Sequence, residues 1–222
     1  MRKLLFAILL LIPGVFACAQ RNANFGLIGG VSYYMGDVNP SRHFYNPSYA
    51  LGVIYRININ PRYAVRGNAY YTTLSGSDED FPQLLHPDHY RYLLPVSFTT
   101  SLLDMNVQGE FNFRPFTPNV GKFNWTPYIS AGLGFSMALS TDVGAGHHLT
   151  LPFGIGAKLN LSKKISTGIE WSFRKTFTDL IDGLENPTEV QSLIHNNDWY
   201  SYLGVFITYK FFNYAEDCPA YE

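Results

Sequence analysis

The chain has 222 residues and a formal net charge of −1, without the basic excess that marks a nucleic-acid binder. Only 15% of its residues are charged while 16% are aromatic, charge-poor against the roughly one quarter usual for soluble domains. Its two cysteines, Cys18 and Cys218, are too few and too badly placed for a disulfide framework.

The chain opens MRKLLFAILLLIPGVFACAQ. Arg2 and Lys3 form a charged start, Leu4 to Phe16 an apolar run, and Ala17-Cys18-Ala19 a small-residue cleavage site, which together read as a secretory signal peptide over residues 1–19 and Sec-type export. Lipidation at Cys18 is the competing reading, and Phe16 fits a lipobox badly. The apolar run is too short to cross a bilayer, and no later segment approaches the ~20 apolar residues a helix needs. Cleavage leaves 14 basic against 17 acidic residues, a charge of −3, with Cys218 as the sole cysteine.

Beyond the signal the hydrophobic period is two, over eight runs. The first, near 24–36, holds GGVSYYMG and leads into DVNPSRHFYNPS. The second, 49–59, sets Leu51, Val53, Tyr55, Ile57 and Ile59 against Arg56 and Asn58. Asn60-Pro61 turns it into the third, 62–73, which sets Tyr63, Val65, Ala69 and Tyr71 against Arg66 and Asn68. A long polar segment, Leu74 to Ser97, precedes the fourth, 98–114. There DMNVQGEFNFR alternates most strictly, with Asp104, Asn106, Gln108, Glu110, Asn112 and Arg114 on one parity and Met105, Val107, Phe111 and Phe113 on the other.

PFTPNVGKFNW separates it from the fifth run, 127–139, with Ile129, Leu133, Phe135 and Leu139 opposite Gly132 and Gly134. The sixth, 149–160, sets Leu151, Phe153 and Ile155 against Gly154, Gly156 and Lys158, and Leu161 to Lys164 turns it into the seventh. That run, 165–177, sets Ile169, Trp171 and Phe173 against Glu170 and Arg174. After a long connection from Thr178 to Asn197, the eighth, 198–212, sets Trp199, Leu203, Val205, Ile207 and Phe211 against Thr208 and Lys210. Residues 213–222 form a tail.

Alternating long and short connections describe an up-and-down meander, and eight such strands close as either a soluble barrel with an apolar interior or a transmembrane barrel with an apolar exterior. Four features favour the second: strands long enough to cross at a tilt; aromatics near run ends, including Tyr49, Tyr63, Phe113 and Trp199; charges confined to one parity; and a final run, WYSYLGVFITYKFF, that ends on aromatics. The expected fold is therefore all-β, an eight-stranded antiparallel up-and-down transmembrane β-barrel over residues 20–212. Lys175 is the awkward residue on the apolar parity, and needs an interfacial position or a bulge.

This parity assigns Arg56, Arg66, Asp104, Glu110, Arg114, Lys158, Glu170, Arg174 and Lys210 to the interior. Eight strands enclose a lumen just wide enough for side chains, so these charges are expected to fill it and satisfy one another rather than line a conducting path. His86, Asp88 and His89 lie in the longest connection and the pair His147-His148 in another, without the fixed convergence a metal requires. No Ser, His and Asp trio stands out as catalytic, and no cofactor is expected.

YRININPRYAVRGNAYY, QGEFNFRPF, LPFGIGAKLNLSKK, EWSFRKTFTDLIDG and NDWYSYLGVFITYKF, in that order and spacing, resemble the PorG-type outer-membrane barrel proteins of Bacteroidetes. The resemblance implies a non-enzymatic barrel of the type IX secretion system. Its partners would be outer-membrane lipid, the barrel-assembly machinery during biogenesis, and a periplasmic ring of a lipoprotein and its partner protein. Docking would fall on the short-turn rim, at Asn60, Pro61, Pro115, Phe116, Asn119, Lys122, Trp125, Lys163 and Lys164. A surface-binding or adhesion barrel acting through its long loops is the alternative.

Overall fold

The two-residue period becomes eight strands: β1 Ala23–Met35, β2 Ser48–Asn58, β3 Tyr63–Ser77, β4 Ser97–Asn112, β5 Trp125–Ser140, β6 His147–Asn160, β7 Ile165–Thr176 and β8 Trp199–Lys210. The structure is a computed structural model that describes residues 23–35, 43–77, 97–117, 124–140, 146–177 and 199–211. The signal peptide, Cys18, Cys218, the HPDHY histidines, Asn119, Lys122 and the tail lie outside these residues. Each strand pairs antiparallel with its chain neighbour, and β1 closes on β8 in register from Asn24↔Lys210 to Met35↔Trp199. The sheet is a closed barrel, so its ladder has no open edge.

Strand ends shift by a few residues from the sequence reading. β3 continues to Ser77, where it pairs with Ser97, because Leu74 carries the inward parity past Thr72. β4 stops at Asn112, and its pairing with β5 shifts register between Ser101 and Leu102. At the ends of β2 and β6, local hydrogen bonds set the turns. Asn60 Oδ1 accepts from the backbone N–H of Arg62 and Tyr63 at 2.8 and 2.7 Å, and Ser162 Oγ accepts from those of Lys164 and Ile165 at 3.3 and 3.1 Å.

The outer wall carries Leu51, Val53, Val107, Leu133, Ile155 and Val205, all exposed, while the inward parity is buried and largely polar. An apolar wall around a polar interior inverts the soluble arrangement and suits a bilayer. Inward glycines give the interior its room: a Cβ on Gly156 would stand 2.6 Å from Tyr128 Cζ, and one on Gly168 2.5 Å from Phe206 Cζ.

Aromatic side chains band both ends of the wall. At the short-turn end Phe111 lies 5.3 Å from Tyr63 and 5.4 Å from Phe113, with Tyr209 and Phe211 5.3 Å apart. At the other end Phe173 lies 4.9 Å from Trp171 and 5.5 Å from Phe153. Lys175 sits there too, beside the last residue of β7, with its Nζ 5.2 Å from the Trp199 ring. That resolves its awkward parity, since a lysine at the boundary keeps its charge near water while its stem covers the wall.

Candidate functional site: a packed polar lumen and a short-turn rim

Register brings the inward charges together. Arg56 and Arg66 face each other across β2 and β3, and Glu110, on β4 beside them, answers both. Glu110 Oε1 accepts from Arg56 Nε at 3.0 Å and lies 3.3 Å from Arg66 Nη1, while Oε2 accepts from Lys158 Nζ at 2.6 Å. Arg66 then reaches across the barrel to β7, donating from both Nη atoms to the Glu170 carboxylate, Nη2 to Oε1 at 2.6 Å. It also donates from Nε to Gln108 Oε1 at 3.0 Å, and Tyr128 Oη donates to Glu170 Oε2 at 2.6 Å.

A second layer lies toward the long-connection end. Arg174 Nε donates to Asp104 Oδ2 at 3.1 Å, and Tyr200 Oη donates to the same oxygen at 2.5 Å. Asn68 Nδ2 donates to Asn106 Oδ1 at 2.7 Å and Asn106 Nδ2 to Asp104 Oδ1 at 2.5 Å. The Arg174 guanidinium lies 3.9 Å from the Tyr202 ring centre and 4.8 Å from that of Tyr70, within cation–π range. Buried charges need this density of partners, because desolvating each ion costs several kcal/mol, roughly, before pairing offsets it.

Both ends of the polar stack are stopped by apolar side chains. Toward the long connections, Tyr34, Leu74, Phe98, Leu102 and Ala138 are buried, with Tyr34 and Phe98 edge to face at 4.9 Å. Toward the short turns, Phe116 folds over the mouth, its ring 5.2 Å from Lys158 Nζ. Within the stack a cavity of about 10 Å³ beside Ile28, Tyr70, Glu170 and Tyr202 has room for about one water. The arrangement packs four buried cations, Arg56, Arg66, Lys158 and Arg174, around three carboxylates, Asp104, Glu110 and Glu170, and fills the space between the layers with their side chains and the tyrosine rings.

Arg56, Arg66, Asp104, Glu110, Lys158, Glu170 and Arg174 are each no more than 2% exposed inside the barrel, and Lys210 is 4% exposed at its short-turn end. Arg114 is a correction. β4 ends at Asn112, so the alternation no longer aims Arg114 inward; it is exposed, with its guanidinium 5.1 Å from the Trp125 ring. Phe116 is a second correction: at 3% exposure it closes the lumen and is not presented to a partner. Asn60, Pro61, Pro115, Lys163 and Lys164 are exposed on the short-turn rim, and Trp125 stands on the outer wall at 43% exposure.

His147 and His148 are not in a connection but open β6, where the strand's alternation points them to opposite faces, the first stacked 5.7 Å from Phe135 and the second buried. Sequence reasoning passed over Tyr70, Tyr128, Tyr200 and Tyr202, whose parity matches that of Asn68, Ser130 and Thr208; their aromatic character drew attention to the wall instead. It also missed Tyr33, which faces outward yet is 0% exposed. Tyr33 Oη accepts from Trp171 Nε1 at 3.1 Å and meets His43 Nδ1 at 3.2 Å, under a cover of His43 and Phe44.

No curated protein matches the chain. Among solved structures it is similar to Neisserial surface protein A, at 12% identity and a TM-score of 0.51, over 85% of this chain and 97% of that one. It is also similar to a major outer membrane protein from Thermus thermophilus, at 13% identity and a TM-score of 0.47 over 85% and 99% of the two chains. A third similar structure is the outer membrane protein OprG from Pseudomonas aeruginosa, at 12% identity and a TM-score of 0.45 over 86% and 97%. At such identity the likeness to Neisserial surface protein A is one of fold, that of an eight-stranded outer-membrane barrel. The family model described as a domain of unknown function, DUF6089, matches residues 2–220, and the chain belongs to that family.

Proposed function

We propose that this protein is a non-enzymatic barrel of the type IX protein secretion machinery, seated in the bacterial outer membrane and contacting a periplasmic ring complex. The observation that carries the reading is the lumen of the described residues, filled by buried side chains and ion pairs, which supports a role carried out at the surfaces. The secretion role draws support from the PorG-like segments, two of which, QGEFNFRPF and LPFGIGAKLNLSKK, end at the short-turn rim. In even-stranded barrels of this kind the short turns and both termini face the periplasm. The rim carrying Asn60, Pro61, Pro115, Lys163 and Lys164, with the connection that holds Asn119 and Lys122 and with Trp125 on the adjoining wall, is then the docking surface.

Single cysteines introduced at Asn60, Pro115 and Lys163 test it by crosslinking in intact cells. Capture of periplasmic secretion components from these positions supports docking. Capture only from the long connections refutes it. A surface-binding barrel is the second reading, favoured by the length of the connections over residues 78–96 and 177–198. Gene deletion that spares secretion and abolishes surface binding would establish that reading instead.

A further inference from the structure

The near-zero net charge hides a separation between the two ends of the barrel. The short-turn segments, residues 59–62, 113–124 and 161–164, carry Arg62, Arg114, Lys122, Lys163 and Lys164 and no Asp or Glu. The opposite connections, residues 36–47, 78–96, 141–146 and 177–198, carry eleven Asp or Glu and two Arg. Among the described residues every carboxylate side chain, on Asp104, Glu110 and Glu170, is buried in the lumen, so none on the described surface offsets the cationic rim.

Arg62 and Arg114 are also set at a definite depth. Arg62 Nη1 donates to the Phe113 carbonyl at 3.1 Å, and Arg114 lies over Trp125. Tyr63, Phe113 and Trp125, at 52%, 52% and 43% exposure, stand on the outer wall beside them. The amphipathic rings of Tyr and Trp mark the boundary between hydrocarbon and headgroups, so cations held beside Tyr63 and Trp125 lie at phosphate depth. Lys163 and Lys164 occupy the β6–β7 turn just beyond Leu161, whose side chain is 61% exposed on the same rim.

We propose that this rim binds the phosphates of acidic phospholipids in the leaflet it faces, through Arg62, Arg114, Lys163 and Lys164. Two of the four cations are held on the flank of the wall rather than projecting from turn tips, and a lipid phosphate is the anion that reaches that depth. The binding goes beyond the docking role proposed above and stands without it. Glu216, Asp217 and Glu222 follow β8 in the sequence and are the competing anions.

The experiment reconstitutes the full mature chain in nanodiscs of phosphatidylethanolamine with a minority of phosphatidylglycerol, extracts it in mild detergent, and measures retained phosphatidylglycerol by native mass spectrometry. The wild-type protein is expected to retain about fivefold more than R62Q/R114Q/K163Q/K164Q, with the excess falling as salt rises. Heat-modifiable gel mobility reports whether each barrel is closed; if the quadruple variant does not fold, K163Q/K164Q is expected to show a smaller loss in the same direction. Equal retention by wild type and variants overturns the proposal. Selective retention only after E216Q/D217N/E222Q assigns the rim to the chain's own tail, and salt-sensitive capture of an acidic periplasmic protein without lipid selectivity assigns it to a protein; either result overturns lipid binding.

Discussion

Replacing Glu110 by Gln probes whether the interior is dry. The carboxylate is touched by Arg56, Lys158 and Arg66, and among the described residues only Arg66 has a second carboxylate, Glu170. Glutamine keeps the shape and can accept a hydrogen bond, but it removes the charge that Arg56 and Lys158 share. Breaking a buried pair by removing one partner costs about 3–5 kcal/mol, because the remaining charge stays desolvated. Glu110→Gln should therefore lower the unfolding free energy by about that amount. Adding Lys158→Met should recover part of the loss, since an apolar residue of similar length removes one orphaned cation. Urea titration in detergent micelles, followed by tryptophan fluorescence and heat-modifiable mobility, reads both effects. A Glu110→Gln midpoint indistinguishable from wild type, or a double variant weaker than the single, would refute the argument: the lumen would then be wet and its charges screened by water.

In planar bilayers the purified protein is expected to show no stable ohmic pore, and a reproducible large conductance would contradict the packed lumen. Val107→Lys, at 60% exposure on the middle of the wall, should destabilise by roughly 2–4 kcal/mol, whereas Lys175→Met beside Trp199 should change stability by less than about 1 kcal/mol. Equal effects in lipid-vesicle unfolding would place the membrane elsewhere on the wall. Gly156→Ala should cost about 1–3 kcal/mol by driving a methyl group into Tyr128 and the Ile169 carbonyl. Gly67→Ala, where a Cβ meets nothing within 4 Å, should leave the urea midpoint unchanged or raise it; a drop as large as for Gly156→Ala would refute the packing account.

The parity of β2 to β8 was legible because a membrane barrel separates its faces by polarity. Leu51, Val53 and Tyr55 against Arg56, or Met105 and Val107 against Asn106 and Gln108, leave one consistent assignment. Legibility failed where a residue's type no longer reports its side. Tyr70, Tyr128, Tyr200 and Tyr202 are aromatic yet belong inside, because a narrow lumen with guanidinium groups needs ring faces and hydroxyl donors as well as carboxylates. β1 was hard to divide because Gly26, Gly29 and Gly30 carry no polarity signal. At the rim the period itself stops: Arg114 and Phe116 flank Pro115 beyond the last ladder residue of β4, and their directions are set by the turn rather than by alternation. Which charge meets which was also hidden, since Arg66 and Glu170 are neighbours only across the closed barrel.

The pairing of Asn24 with Lys210 joins residues from nearly opposite ends of the folded chain. Until β8 is in place, β1 has a partner on one side only, and the unfinished sheet exposes an unpaired edge at each end with its apolar wall alongside. Bringing those edges together carries a loop-closure entropy that no local contact offsets beforehand. The last strand to be made is thus the one that completes the structure, and a folding intermediate short of it is the species most prone to pair with another chain. The time those two edges wait before they meet is therefore the period in which the chain is most exposed to mispairing.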